Sequence, residues 1–138
     1  FILMYIHKTK LRVRYSETDK MGVVYHGNYI QYFEVGRVEY MRDIGVIYAD
    51  LEKQGIGMPV VNINIDYLLP VQYDEKLTIE TWVESLPTSK IIFHNQAYDA
   101  SGKLVCKAKV TLVFINKDFR PVKSPEVVLK ALKANGVE

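Results

Sequence analysis

The period of the apolar positions changes along the chain, and each change marks a new element. Residues 10–15 alternate, with Leu11, Val13 and Tyr15 on one side and Lys10, Arg12 and Arg14 on the other. Alternation of this kind predicts a half-exposed strand. A turn-rich stretch follows. Residues 28–44 then take a helical period, with Gly27 or Asn28 near the start and Gly45 just past the end. Apolar and aromatic residues run almost all round this helix, from Tyr29 and Ile30 to Met41 and Ile44. The pattern predicts burial on most sides, with Glu34, Arg37, Glu39 and Arg42 forming i,i+3 pairs along the remaining stripe. Gly36 in its middle costs about 1 kcal/mol relative to Ala, which implies close packing of another backbone against it.

A second, short helix is predicted over residues 47–54, ending at Gly55. From there the period falls to two. Val61, Ile63, Ile65, Tyr67 and Leu69 alternate with other residues, as do Leu77, Ile79, Thr81 and Val83. Residues 90–98 and 104–115 are the next two strands, joined by a hairpin at residues 99–102. Ala108, Val110, Leu112 and Phe114 share one face of the last strand. A terminal helix over residues 124–135 is expected, with Ser124 as N-cap and Pro125 and Glu126 in its first turn. Such a sheet must cover something apolar, and the long helix is the one element of sufficient length. The prediction is an α+β fold in which a curved antiparallel sheet wraps one helix.

The 138 residues fit one domain, 1–138, without linker, repeat or low-complexity tract. Eighteen Lys and Arg against sixteen Asp and Glu give a formal charge of +2, too balanced for the basic footprint of a nucleic-acid binder. The single cysteine, Cys106, excludes an intrachain disulfide. It reads as a small buried hydrophobe, and a reducing, cytoplasmic setting is the default expectation. No run approaches the ~20 apolar residues of a membrane span. The start, Phe-Ile-Leu-Met, is too short for a signal peptide; residues 1–3 read as a truncated or added start ahead of a native Met4. His7 and His94 have no metal-ligand spacing to cysteine or carboxylates. Neither a P-loop, nor G-x-G-x-x-G, nor G-x-S-x-G occurs. No metal and no cofactor is expected.

The candidate chemistry lies between the first strand and the long helix. The stretch Tyr15-Ser-Glu-Thr-Asp19-Lys-Met-Gly22-Val-Val-Tyr25-His26-Gly27-Asn28-Tyr29 places Asp19 and His26 seven residues apart. Helix N-termini carry unpaired N–H groups and favour negative charge. A carboxylate close to such an end can attack a carbonyl or activate water while the N–H groups stabilise the oxyanion. That is the chemistry of acyl transfer. Read locally, Asp19 is equally a turn-forming residue.

The string Asp19-x-x-Gly22-x-Val24-Tyr25-His26-x-Asn28-Tyr29, followed by Phe33-Glu34 and Arg37, resembles the hotdog-fold acyl-CoA thioesterases of the 4-hydroxybenzoyl-CoA thioesterase and YbgC type. Tyr67-Leu68-Leu69-Pro70-Val71, Thr88-Ser89 with Ile92-Phe93, and Arg120-Pro121 through Pro125 extend the likeness over most of the chain. The resemblance implies a thioester hydrolase acting on an acyl-CoA, with an acyl carrier protein as an alternative donor. It implies a homodimer joined sheet edge to sheet edge, often paired again into a homotetramer, with sites lined by both chains. It makes Asp19 the catalytic carboxylate and His26 the residue whose backbone N–H polarises the thioester oxygen. Gly27 and Asn28 supply further donors or hold the geometry, or are simply turn and cap. Tyr25 and Val60 line the acyl pocket or belong to the core. Ser89 and Lys90 fall on the surface that meets CoA, where Lys90 pairs with a phosphate or is a solvated strand-end lysine. Two competing functions share these residues: a dehydratase or hydratase on a 3-hydroxyacyl thioester, and an acyl-thioester-binding module without turnover.

Overall fold

The computed structural model describes residues 3–138, so the reading of residues 1–3 as a non-native start falls, for residues 1 and 2, outside the described residues. Five strands, β1 (His7–Arg12), β2 (Val60–Tyr67), β3 (Lys76–Trp82), β4 (Lys90–Tyr98) and β5 (Leu104–Val113), form one antiparallel sheet in the order β1-β3-β4-β5-β2. Helix α1 (Asn28–Asp43) crosses the inner face and packs against β1, β3 and β4. Two shorter helices, α2 (Tyr48–Lys53) and α3 (Glu126–Ala134), complete the chain. This is the expected α+β hotdog arrangement.

Strand alternation drives the wrapping. Leu77, Ile79 and Thr81 on β3, and Ile91, Phe93, Asn95 and Ala97 on β4, are buried, while the residues between them are at least partly exposed. Tyr40, Phe33 and Met41 of α1 meet them in the core. Burying a large apolar side chain contributes about 1.5–3 kcal/mol, so this one contact surface dominates the fold. Gly36 sits at its closest point. A Cβ there would lie 2.6 Å from Thr81 Oγ1 and 3.0 Å from Ile79 Cγ2, which explains a glycine inside a helix.

Several expectations are corrected. Helix α1 is buried along one stripe, Tyr29-Tyr32-Phe33-Gly36-Arg37-Tyr40-Met41, and not on most sides. Ile30 and Val35 are exposed, because the sheet covers a single face of the helix. Arg37, expected on the solvated stripe, is buried, and of the expected pairs Arg42–Glu39 forms at 3.6 Å. The first strand runs from His7 to Arg12, three residues earlier than predicted. Its inward phase carries His7 and Thr9, which hide it from an apolar pattern, and Tyr15 already belongs to a 3₁₀ turn (Tyr15–Glu17). Strand β5 ends at Val113, beyond which Ile115 makes isolated bridges to Gly57 and Pro121. Pro125, and not Ser124, is the N-cap of α3.

The two edges of the sheet differ in chemistry. β1 turns Lys8, Lys10 and Arg12 outward. β2 pairs with β5 alone, and Val60, Val61 and Tyr67 along it are 41%, 51% and 47% exposed. Its one charged residue is Asp66.

Candidate active site

The segment between β1 and α1 folds on itself at Asp19. Asp19 N–H donates to the Val23 carbonyl at 2.8 Å, and Gly22 N–H donates back to the Asp19 carbonyl at 2.9 Å. Asp begins this turn and Gly ends it, at φ +80°, a conformation that glycine adopts without strain. The Asp19 carboxylate accepts the Met21 N–H through Oδ1 at 2.9 Å, leaving Oδ2 open. A bridge between Thr18 and Val24 closes the turn, and a bridge between Val23 and Gln72, with the Val24 N–H donated to the Val71 carbonyl at 2.7 Å, pins it to the chain beyond β2.

The chain then enters α1 through Tyr25, His26 and Gly27. Asn28 N–H is taken by the Tyr25 carbonyl at 2.9 Å. Among the described residues the backbone N–H groups of His26 and Gly27 have no acceptor. Two unpaired donors at a helix start are what an oxyanion requires. Gly27 has an ordinary φ of −65°, so its role is not flexibility. A Cβ there would lie 2.7 Å from Cε2 of the exposed Tyr25 ring, so a larger residue would push that ring aside.

Asp19 and His26 line one cleft of about 320 Å³ with Met21, Val23, Val24, Tyr29, Tyr67 and the Leu68–Val71 segment. The two side chains share this cleft without an ion pair or hydrogen bond between them. The His26 imidazole is exposed and packs against the rings of Tyr25 at 4.3 Å and Tyr67 at 5.9 Å. The Tyr67 hydroxyl donates to the His26 carbonyl at 3.1 Å. Tyr29 is buried in the wall with its hydroxyl unpartnered, and burial raises its pKa above the usual phenol value. The cleft walls are otherwise apolar, suited to an acyl group.

Asp19 and His26 are thus brought together in the cleft, whereas Tyr25, Gly27 and Asn28 follow at the start of α1 and do not line it, the exposed Tyr25 ring lying against His26. Val60, Ser89 and Lys90 are not brought to the cleft. Val60 pairs with Leu112 and Lys90 with Val113, whereas Tyr67 at the cleft pairs with Cys106. Six residues of strand, roughly 20 Å, separate the two ends within one chain. The Asn28 side chain donates to the Glu17 carbonyl at 2.9 Å, so its amide holds the loop and does not face the cleft as a free donor. Cys106 is fully buried, and burial pushes its thiol up to about 12, which removes it as a nucleophile. Among the described residues no group of three or more His, Cys, Asp or Glu is placed to hold a metal ion, and no helix is long and apolar enough to cross a membrane. The sequence reading missed Leu68 and Leu69 as cleft walls. Their signal was the Tyr67–Val71 string itself, whose position relative to Asp19 only folding reveals.

Comparison with known proteins bears on this geometry. The chain is 40% identical over 120 residues to the Bacillus subtilis protein YneP, covering 86% of this chain and 87% of that one. It is 35% identical over 124 residues to the acyl-CoA thioesterase YbgC of Haemophilus influenzae, covering 88% and 90%. The crystal structure of a DHNA-CoA thioesterase from Staphylococcus aureus superposes with a TM-score of 0.83 at 39% identity, covering 86% of this chain and 80% of the other. A sequence profile described as the thioesterase-like superfamily matches residues 13–132, which include the Asp19 turn and all of α1, and the chain belongs to that superfamily.

Proposed function

We propose that the chain hydrolyses an acyl-CoA thioester to the free acid and CoA, with Asp19 as the catalytic carboxylate and the His26 and Gly27 N–H groups as the oxyanion site. The observation that carries this reading is one apolar-walled cleft lined by both His26 and Asp19 with an open carboxylate oxygen, beside a helix start whose His26 and Gly27 N–H groups are unpaired. The thioester carbonyl carbon is set against Asp19 Oδ2. Asp19 either attacks it, forming an anhydride that water then opens, or takes a proton from water as the hydroxide adds. In both routes the C–O bond forms, the C–S bond breaks, the electron pair leaves with the CoA thiolate, and one water is consumed. Charge builds on the carbonyl oxygen, where the two N–H groups stabilise it. No cofactor takes part.

The functional unit we propose is a homodimer. β2 is an open, apolar edge beside the cleft, and such edges invite pairing with another strand. Antiparallel pairing of two β2 strands about a twofold axis would carry the Val60 end of one chain to the Tyr67 end of the other. Val60, Ser89 and Lys90 would then approach the partner's cleft. The single unpaired thiol is consistent with a reducing, cytoplasmic setting.

Free-thiol release from short, medium, long and aromatic acyl-CoAs tests the reading. Asp19→Asn is expected to lower kcat by about 10²–10⁴-fold with the melting temperature unchanged. A folded Asp19→Asn protein with near wild-type turnover would overturn it.

A further inference from the structure

Glu17 stands two residues before Asp19 and lines none of the clefts around it, yet it is 7% exposed beside exposed Tyr15 and Ser16. A carboxylate removed from water is costly unless its oxygens are hydrogen-bonded. Those of Glu17 are. Oε1 accepts the Arg14 backbone N–H at 2.8 Å and the Tyr32 hydroxyl at 2.8 Å. Oε2 accepts Arg14 Nε at 3.0 Å and lies 3.0 Å from Nη2. The Glu17 carbonyl accepts two more donors, the Tyr25 N–H at 2.9 Å and Asn28 Nδ2 at 2.9 Å.

One residue therefore joins the segment leaving β1, the Asp19 turn, the start of α1 and, through Tyr32, the second turn of that helix. Asp19 lies just after it in sequence. The unpaired N–H groups of His26 and Gly27 lie between the two residues that its carbonyl holds, Tyr25 and Asn28.

We propose that Glu17 is the positioning residue of this site, fixing, with Arg14 and Tyr32, the separation between the Asp19 carboxylate and the His26 and Gly27 N–H groups. The inference rests on the catalytic reading of Asp19 given above. Glu17 itself touches no substrate. It acts by keeping two halves of one reaction geometry in register, and a displacement of about 1 Å in such a geometry can cost 10²-fold in rate. Tyr32 keeps its proton in this arrangement, since burial and the neighbouring carboxylate raise its pKa.

The test measures kcat and KM for acyl-CoA hydrolysis in Glu17→Gln, Tyr32→Phe and Asp19→Asn, and in the Glu17→Gln/Asp19→Asn double variant. Folding and oligomeric state are checked for each. Glu17→Gln is expected to lower kcat about 10–100-fold with KM within about twofold of wild type. Tyr32→Phe, which keeps the ring and drops one hydroxyl, lowers kcat by a smaller factor of about 3–10 and stands in if Glu17→Gln does not fold. In the Asp19→Asn background, Glu17→Gln adds no further loss, because the residue acts through Asp19. Unchanged kcat in folded Glu17→Gln and Tyr32→Phe, beside an inactive Asp19→Asn, would overturn the positioning role alone. A fully additive loss in the double variant would do the same, because it would show that Glu17 acts independently of Asp19. An active Asp19→Asn would remove the catalytic reading and this inference with it.

Discussion

The two edge strands of the sheet have opposite surfaces. β1 carries three outward cations, and the chain just before it is fastened to α1: the Tyr5 hydroxyl bonds both Asp43 and His7, and its ring stacks on Tyr40 at 5.6 Å. β2 carries Val60, Val61, Ile63, Ile65 and Tyr67 with a single charge, and the polypeptide covers little of it. Charged edges resist pairing, and apolar edges invite it. The Asp19 cleft opens beside β2, with Tyr67 in its wall. Stability is completed within the chain at one edge, while at the other the chain leaves surface for something else. The proposed catalytic groups lie at the unfinished edge.

Placing charge on β2 breaks this asymmetry with the largest effect. Val61→Lys is expected to weaken self-association by about 10–100-fold, because the lysine is solvated in a monomer and must be desolvated between paired strands. Sedimentation velocity would show the shift, and turnover per chain should fall with it. An equally associated, equally active Val61→Lys protein would sink the β2 dimer. Lys10→Thr on β1 is the matched control.

Acid sharpens the comparison from the other side. The bonds from Arg14 and Tyr32 hold the Glu17 carboxyl below the usual glutamate range, outweighing the opposing effect of burial. A group depressed on folding contributes stability that is present above its unfolded pKa and is lost as pH falls through its folded one. Melting temperature should therefore drop more steeply in wild type than in Glu17→Gln between about pH 5 and 3. Parallel curves would show that Glu17 has no such role in stability. Smaller still is the exposed contact at the β1 edge. Asp43→Asn is expected to cost about 1 kcal/mol or less in thermal unfolding and to leave kcat unchanged. Lys10→Thr should fall within about 0.5 kcal/mol of wild type.

Most of the architecture was legible because alternation and helical period are local properties. β4 begins and ends where its pattern does, at Lys90 and Tyr98, and α1 starts at the predicted Asn28. β1 was misplaced because His7 and Thr9 face inward, and their polarity conceals the strand. Asp19 and His26 were legible from a contiguous motif, and both line the same cleft. Val60, Ser89 and Lys90 were chosen from the same resemblance, yet they lie at the other end of β2 and β5, because residue distance along a strand translates directly into separation in space.

The sequence by itself determined the element types and the wrapped helix and singled out the carboxylate proposed as the catalyst, since each depends on side-chain chemistry within a few neighbours. Only the tertiary structure decided that β1 and β2 lie at opposite edges, that Gly36 is required for space, and that Glu17 is buried. Those outcomes depend on which distant segments come into van der Waals or hydrogen-bond contact. A local pattern does not encode such contacts; closure of the whole sheet around α1 does.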